Sequence, residues 1–195
     1  MPTVTGLREL RGGRVAVELD GSRWRTIPID VAVRVRLGEG QELDRPRLRE
    51  LARELRRART MDRALRAVAR RDQTVVSLRK RLERRGAVAA DLEDAIGRLE
   101  RAGLVDDERY AARRAEALAG RGHGDEAIRW RLRREGVPEP LARAVLAGLE
   151  PELQRARRLV AARGPGPRTA RDLARRGFGE AAVEEALGPA VADTG

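Results

Sequence analysis

A short pattern, Leu-x-Arg-x-Gly, occurs three times in the chain: as Leu82, Arg84, Gly86, as Leu132, Arg134, Gly136, and as Leu173, Arg175, Gly177. Leu132 follows Leu82 by 50 residues and Leu173 follows Leu132 by 41, the size of a helical supersecondary repeat whose loops absorb the difference. A glycine just past an apolar stripe stops a helix by taking the left-handed conformation. Beyond each glycine comes another apolar pair, Ala95 and Ile96, Val145 and Leu146, then Ala186 and Leu187, so each copy has a further helix. The expected fold is mainly α: three tandem three-helix repeats in an elongated curved array, preceded by a small β-hairpin or three-stranded N-terminal extension.

Hydrophobic residues make up 41% of the chain but aromatics only 2%, so the cores are built from Ala, Val and Leu. Small side chains bury little area, and each repeat would lean on its neighbour. There is no cysteine and one histidine, His123, which leaves no thiolate chemistry, no zinc or iron–sulfur ligand set and no nucleophilic triad to name. No catalytic residue, metal site or cofactor is expected. No apolar run approaches the roughly 18 residues of a membrane span, and no signal-type stretch opens the chain; a cytoplasmic protein, acting as a monomer, is expected. The net charge of +11 points to an acidic or nucleic-acid partner. Only Lys80 among the 42 basic residues is lysine, a bias that a GC-rich coding sequence produces without selection for binding.

Residues 1–45 read as the β-rich extension. Residues 14–19 alternate loosely, Asp20-Gly21 signals a hairpin turn, and residues 24–29 followed by Val31, Val33 and Val35 keep period two. A linking helix is expected over 46–59, with Leu48, Leu51 and Leu55 as its apolar stripe against the sheet. The repeats follow at 60–103, 104–150 and 151–188, and a disordered tail at 189–195. Thr74 is placed to cap the second helix of repeat one, Asp106 to Glu108 to sit on the first turn of a helix, and Asp125 to cap the next. Pro138 fits a first helical turn.

The second helix of each repeat carries basic residues around its stripe: Arg79, Lys80, Arg81, Arg84 and Arg85, then Arg129, Arg131, Arg133 and Arg134, then Arg168, Arg171, Arg175 and Arg176. Stacked repeats would set them in a basic ridge facing an acidic protein surface or DNA phosphates; the same residues also suit a solvated face of an arginine-biased protein. Adjacent acids such as Asp106, Asp107 and Glu108 do not converge on one point, so capping is favoured over a metal site. The loop at 120–124, Gly-Arg-Gly-His-Gly, lacks the Lys and Ser/Thr of a phosphate loop and reads as an interhelical loop, with His123 exposed and a mobile basic contact as the functional variant. Tyr110 and Phe178 fall at core spacing. Trp130 lies off the stripe, where it could cover a seam or reach a partner.

The stretch GLVDDERYA at 103–111, the glycine loop and second helix ending at Gly136, and RRGF at 175–178 together resemble the RecX family, over roughly residues 61–188. The resemblance implies a non-enzymatic protein of three tandem three-helix repeats that binds the RecA recombinase filament on single-stranded DNA. It would oppose filament growth, ATP hydrolysis and strand exchange, modulating recombination and DNA repair, with contact to single- or double-stranded DNA also ascribed to the family. Ala67 departs from the aromatic residue that members often carry in the first helix. A reading of another class is a stand-alone helical DNA-binding protein of architectural or helix-turn-helix type.

Overall fold

The computed structural model describes residues 1–188; the tail expected at 189–195 lies outside them. Three strands, β1 (Val4–Leu10), β2 (Arg14–Leu19) and β3 (Ser22–Pro28), precede ten helices. These are α1 (Ile29–Arg34), α2 (Arg45–Val68), α3 (Val75–Glu83), α4 (Ala89–Arg101), α5 (Asp107–Gly120), α6 (Asp125–Arg134), α7 (Glu139–Ala147), α8 (Glu152–Arg163), α9 (Pro167–Arg175) and α10 (Glu180–Leu187). The described residues gather into two compact units, one of residues 1–70 and 79–101, the other of residues 71–78 and 102–188.

In the first unit the strands form an antiparallel sheet in the order β1-β2-β3. Asp20 and Gly21 both have positive φ, 49° and 76°, the type I′ turn whose twist matches the flanking strands. The third strand is β1. Residues 31–35, expected to continue the sheet, instead form α1 and its C-terminal turn. Their alternation misleads because Val31, Ala32 and Val35 share one helix face and are buried while Val33 is 69% exposed. Pro28 ends the edge strand β3, where no ladder donor is missed, and precedes the first turn of α1.

The sheet packs its buried Val15, Val17 and Ile27 against Leu51 and Leu55 of α2, with Leu48 partly buried beside them. The expected linking helix at 46–59 and a separate first helix of repeat one are a single helix. From Pro46 to Val68 the sequence holds neither glycine nor a further proline, and the buried stripe runs on through Thr60, Ala64 and Ala67, so nothing stops it. Asp44 caps its start by accepting from the Arg47 N–H at 2.8 Å. α4 packs along α2 and buries Leu92, Ala95, Ile96 and Leu99. Its buried Asp91 is held by Arg56 at 3.3 Å and Arg57 at 3.5 Å from α2, which satisfies a carboxylate that would otherwise be costly to bury.

In the second unit α5, α6 and α7 enclose Ala111, Ala115, Leu118, Ile128, Leu132 and Leu146. α8, α9 and α10 enclose Ala156, Val160, Leu173 and Phe178. Thr74 caps α3 as expected, accepting from the Ser77 N–H at 3.1 Å while donating to the Glu135 carbonyl at 2.6 Å. Asp106 caps α5. Two caps differ from expectation. Gly124, not Asp125, precedes α6, and the Asp125 carboxylate pairs with Arg155 instead of capping the helix; only glycine fits at 124, where a Cβ would sit 2.2 Å from the Gly177 carbonyl oxygen. Pro138 likewise stands just ahead of α7, and Pro140 takes the first turn.

Candidate partner-binding surface

The thrice-repeated pattern is one helix terminator. Gly86, Gly136 and Gly177 have φ of 73°, 91° and 77°. In each case the residue after the glycine donates its N–H back to the pattern's leucine carbonyl: Ala87 to Leu82 at 3.1 Å, Val137 to Leu132 at 3.0 Å, Phe178 to Leu173 at 3.2 Å. The glycine N–H reaches the carbonyl one residue further on, of Glu83, Arg133 or Ala174. This is the paired 6→1 and 5→2 bonding of a Schellman cap, with the buried leucine three positions before the helix end. The arginine of the pattern, two residues before the glycine and on or just past the last helical residue, therefore occupies one station in every repeat. Arg84, Arg134 and Arg175 are all exposed there, beside carbonyls whose partial negative charge favours a cation.

Each makes a weak local contact. Arg84 Nε donates to the Lys80 carbonyl at 3.2 Å, Arg175 bonds Asp172 at 3.2 Å, and the Arg134 guanidinium lies 4.6 Å from the centre of the Trp130 ring. Trp130 is 56% exposed and so covers no core; an indole and a guanidinium stacked on a solvent-facing helix surface are the pairing enriched at binding hot spots.

None of the remaining arginines singled out from sequence recurs at the same station in all three repeats. Arg79 is tied to Glu93 by two hydrogen bonds, one of 2.8 Å, which raise its own pKa and lower that of Glu93. Lys80 is exposed, and its counterparts by offset are Trp130 and Arg171. Arg81 turns toward α2, where it frames a cleft of about 300 Å³ with Arg63, Arg66, Arg70 and Arg85. Arg129 and Arg133 share Glu139 at 3.8 and 3.6 Å. Arg131 is half-buried. After burial itself, its charge is the largest cause holding the His123 pKa below the ordinary imidazole range. Arg171 folds back on the Pro167 carbonyl at 3.1 Å.

The loop at 120–124 is not a mobile contact. Gly124 is buried, its N–H donates to the Arg176 carbonyl at 2.9 Å, and Arg176 reaches the Arg121 and Gly122 carbonyls at 3.3 and 3.4 Å. His123 is half-buried, and its carbonyl accepts from Arg155 at 2.7 Å. Arg155 is the seam's hidden centre. It is 4% exposed, also bonds the Glu150 carbonyl at 3.0 Å and pairs with Asp125, and lies 5.9 Å from the Phe178 ring centre. Tyr110 packs against the α5–α7 core and donates to Glu135 at 2.9 Å, which Arg114 also holds. Burial first, and then Glu135, push the phenol up to about 12. Asp107 accepts from the Val75 N–H at 2.8 Å. Burial raises its pKa against that bond. Among the described residues no group of acidic or histidine side chains could hold a metal ion, and no helix is long and apolar enough to cross a membrane.

Comparison with known proteins bears on what this surface meets. The family model for the second three-helix domain of RecX matches residues 106–146. The regulatory protein RecX of Deinococcus radiodurans is 35% identical over 159 residues, covering 76% of this chain and 76% of that one. That of Chromohalobacter salexigens is 34% identical over 142 residues, 68% of this chain and 93% of that one. A crystal structure of regulatory protein RecX superposes with a TM-score of 0.78 at 23% identity, over 96% of this chain and 98% of that chain. The crystal structure of RecX from Lactobacillus salivarius gives 0.60 at 14% identity, over 68% and 94%.

Proposed function

Since this chain belongs to the RecX family of regulatory proteins, we propose that it binds the RecA recombinase filament on single-stranded DNA and restrains filament growth, ATP hydrolysis and strand exchange. The observation that carries the reading is the recurring station of Arg84, Arg134 and Arg175, which gives each repeat one exposed cation at an equivalent place. A filament presents identical subunits at a fixed interval, and a ligand whose own contacts recur can engage several, so that weak single contacts combine through effective concentration. Trp130 under Arg134 supplies an aromatic anchor of the kind that sets affinity, while solitary rim charges steer and orient. The chain then acts by occupying surface. Bridging neighbours resists the motion linked to nucleotide turnover, and covering a filament end stops addition.

Titration into a mixture of recombinase, single-stranded DNA and ATP tests this, with hydrolysis followed beside binding to bare DNA. Loss of hydrolysis at protein levels well below the DNA concentration is the expected result. Loss that appears only as the DNA saturates, with no difference in DNA affinity when recombinase is added, would instead favour a stand-alone DNA-binding protein competing for the strand.

A further inference from the structure

α10, the last described helix, buries none of its residues. The helices that hold the same place in the other repeats do bury an apolar face: α4 covers Leu92, Ala95, Ile96 and Leu99, and α7 covers Ala142 and Leu146. On α10, Val183, Ala186 and Leu187 pack on the core of the last repeat yet stay half-buried. Beside them opens a groove of about 1070 Å³, lined by Val183 and Leu187 of α10 and by Ala170 and Ala174 of α9. Covering apolar surface left open in this way is favourable for whatever fits it.

The rim of the groove is acidic. Glu126 from the first turn of α6 and Glu180 and Glu184 from α10 are all exposed along it. None of the three makes an ion pair among the described residues, and the sequence from 189 to 195 holds no lysine, arginine or histidine. The one cation in the lining, Arg171, is turned to the Pro167 carbonyl at 3.1 Å. In a chain of net charge +11, the groove is therefore a local reversal of sign that a cationic partner satisfies.

We propose that this groove takes an amphipathic helix of a protein partner, its apolar face laid against the alanines of α9 and the Val183 and Leu187 side of α10, and its flanking lysines or arginines beside Glu126, Glu180 and Glu184. The walls are helices whose backbone bonds are internal, so an extended peptide would find no strand edge to pair with, whereas a helix brings its own backbone bonds and offers only side chains. The residues from 189 to 195 carry one charge, that of Asp193, which has the wrong sign for this rim. The assignment concerns the last repeat alone and stands whether or not the recombinase reading does.

The test is fluorescence anisotropy of a labelled peptide of about 14 residues, roughly four turns, with leucines on one helical face and lysines on the rest. The full chain is titrated against it and against a peptide of the same composition whose leucines are scattered around the helix. The amphipathic peptide is expected to bind at least about tenfold more tightly, because only it presents a continuous apolar face. The net positive charge of the chain repels both peptides, so binding reports the local field. Glu126→Gln/Glu180→Gln/Glu184→Gln, at three exposed positions, should weaken binding about tenfold, roughly twofold for each rim charge. Ala174→Phe, which fills the groove from an exposed position on α9, should weaken it by a similar factor with the thermal unfolding by circular dichroism unchanged. No binding, equal binding of the scattered peptide, or a triple variant that binds as the wild type does would overturn the proposal. So would either rival occupant. Peptide binding only by a chain cut after Gly188 would assign the groove to the C-terminal segment, and sedimentation showing a dimer that the triple variant dissociates would assign it to a second copy.

Discussion

Asp172 sits among three arginines, accepting from Arg175 at 3.2 Å and Arg176 at 2.8 Å and pairing with Arg163. Burial works to raise its pKa, but the Arg176 hydrogen bond and the surrounding positive charge outweigh that and hold it below the ordinary aspartate range. A carboxylate depressed in the folded state adds stability that is present above its unfolded pKa of about 3.9 and is lost as pH falls through the folded value. Asp172→Asn should therefore lower the melting temperature at neutral pH, with the gap to wild type closing under strongly acidic conditions. Thermal scans by circular dichroism over pH read both, and a gap independent of pH would show that the lost interaction was not ionic. Arg155 makes a different point at this scale. In sequence it looks like its neighbours Arg157 and Arg158 on α8, both exposed. Its phase separates it, because Arg155, Ala156, Leu159 and Val160 share the stripe of spacing three and four that faces inward. An arginine at a core phase is legible as a buried connector only once its partners are known, and one of them, the His123 carbonyl, comes from a loop 32 residues away in sequence.

The helix terminators show which elements sequence can specify. A Schellman cap is local: leucine, glycine and the residue after it decide it, so the three helix ends were legible without tertiary information. What surrounds each glycine was not. A Cβ at Gly86 would meet nothing within 4 Å, whereas at Gly177 it would lie 2.6 Å from the Cβ and backbone nitrogen of Ala127. Gly86→Ala should accordingly cost about 1–2 kcal/mol, the left-handed penalty alone. Gly177→Ala should cost more, about 3 kcal/mol or above, as overpacking against a backbone that cannot yield is added. Urea denaturation compares them, and equal costs would mean that α6 at Ala127 and the backbone at 177 are not in fixed contact. The errors of element type have the same origin. Val31, Val33 and Val35 suit a strand and a short helix equally well until burial on the sheet side picks out Val31 and Val35. The break expected near residue 60 came from the repeat period, which local sequence does not honour.

At the scale of the molecule, the proposed role of Arg84, Arg134 and Arg175 as a recurring set makes a prediction that a merely basic protein does not. Each is exposed and weakly engaged, so each alone should be worth what a rim charge is worth, roughly 0.7 kcal/mol or about threefold in the concentration needed to suppress recombinase ATP hydrolysis. If the stations engage successive filament subunits independently, the losses multiply, and Arg84→Ala/Arg134→Ala/Arg175→Ala together should raise that concentration roughly 30-fold. Fold is not at stake, because none of the three bonds the core and the glycine caps remain. The control is an equal reduction of charge elsewhere: Arg157→Ala/Arg158→Ala/Arg168→Ala, also exposed, lowers net charge by the same amount and should cost only the general electrostatic share. A triple station variant no weaker than a single one would mean that one repeat makes the contact and the others serve to hold it. A control as damaging as the stations would mean that net charge, not position, is what the filament reads.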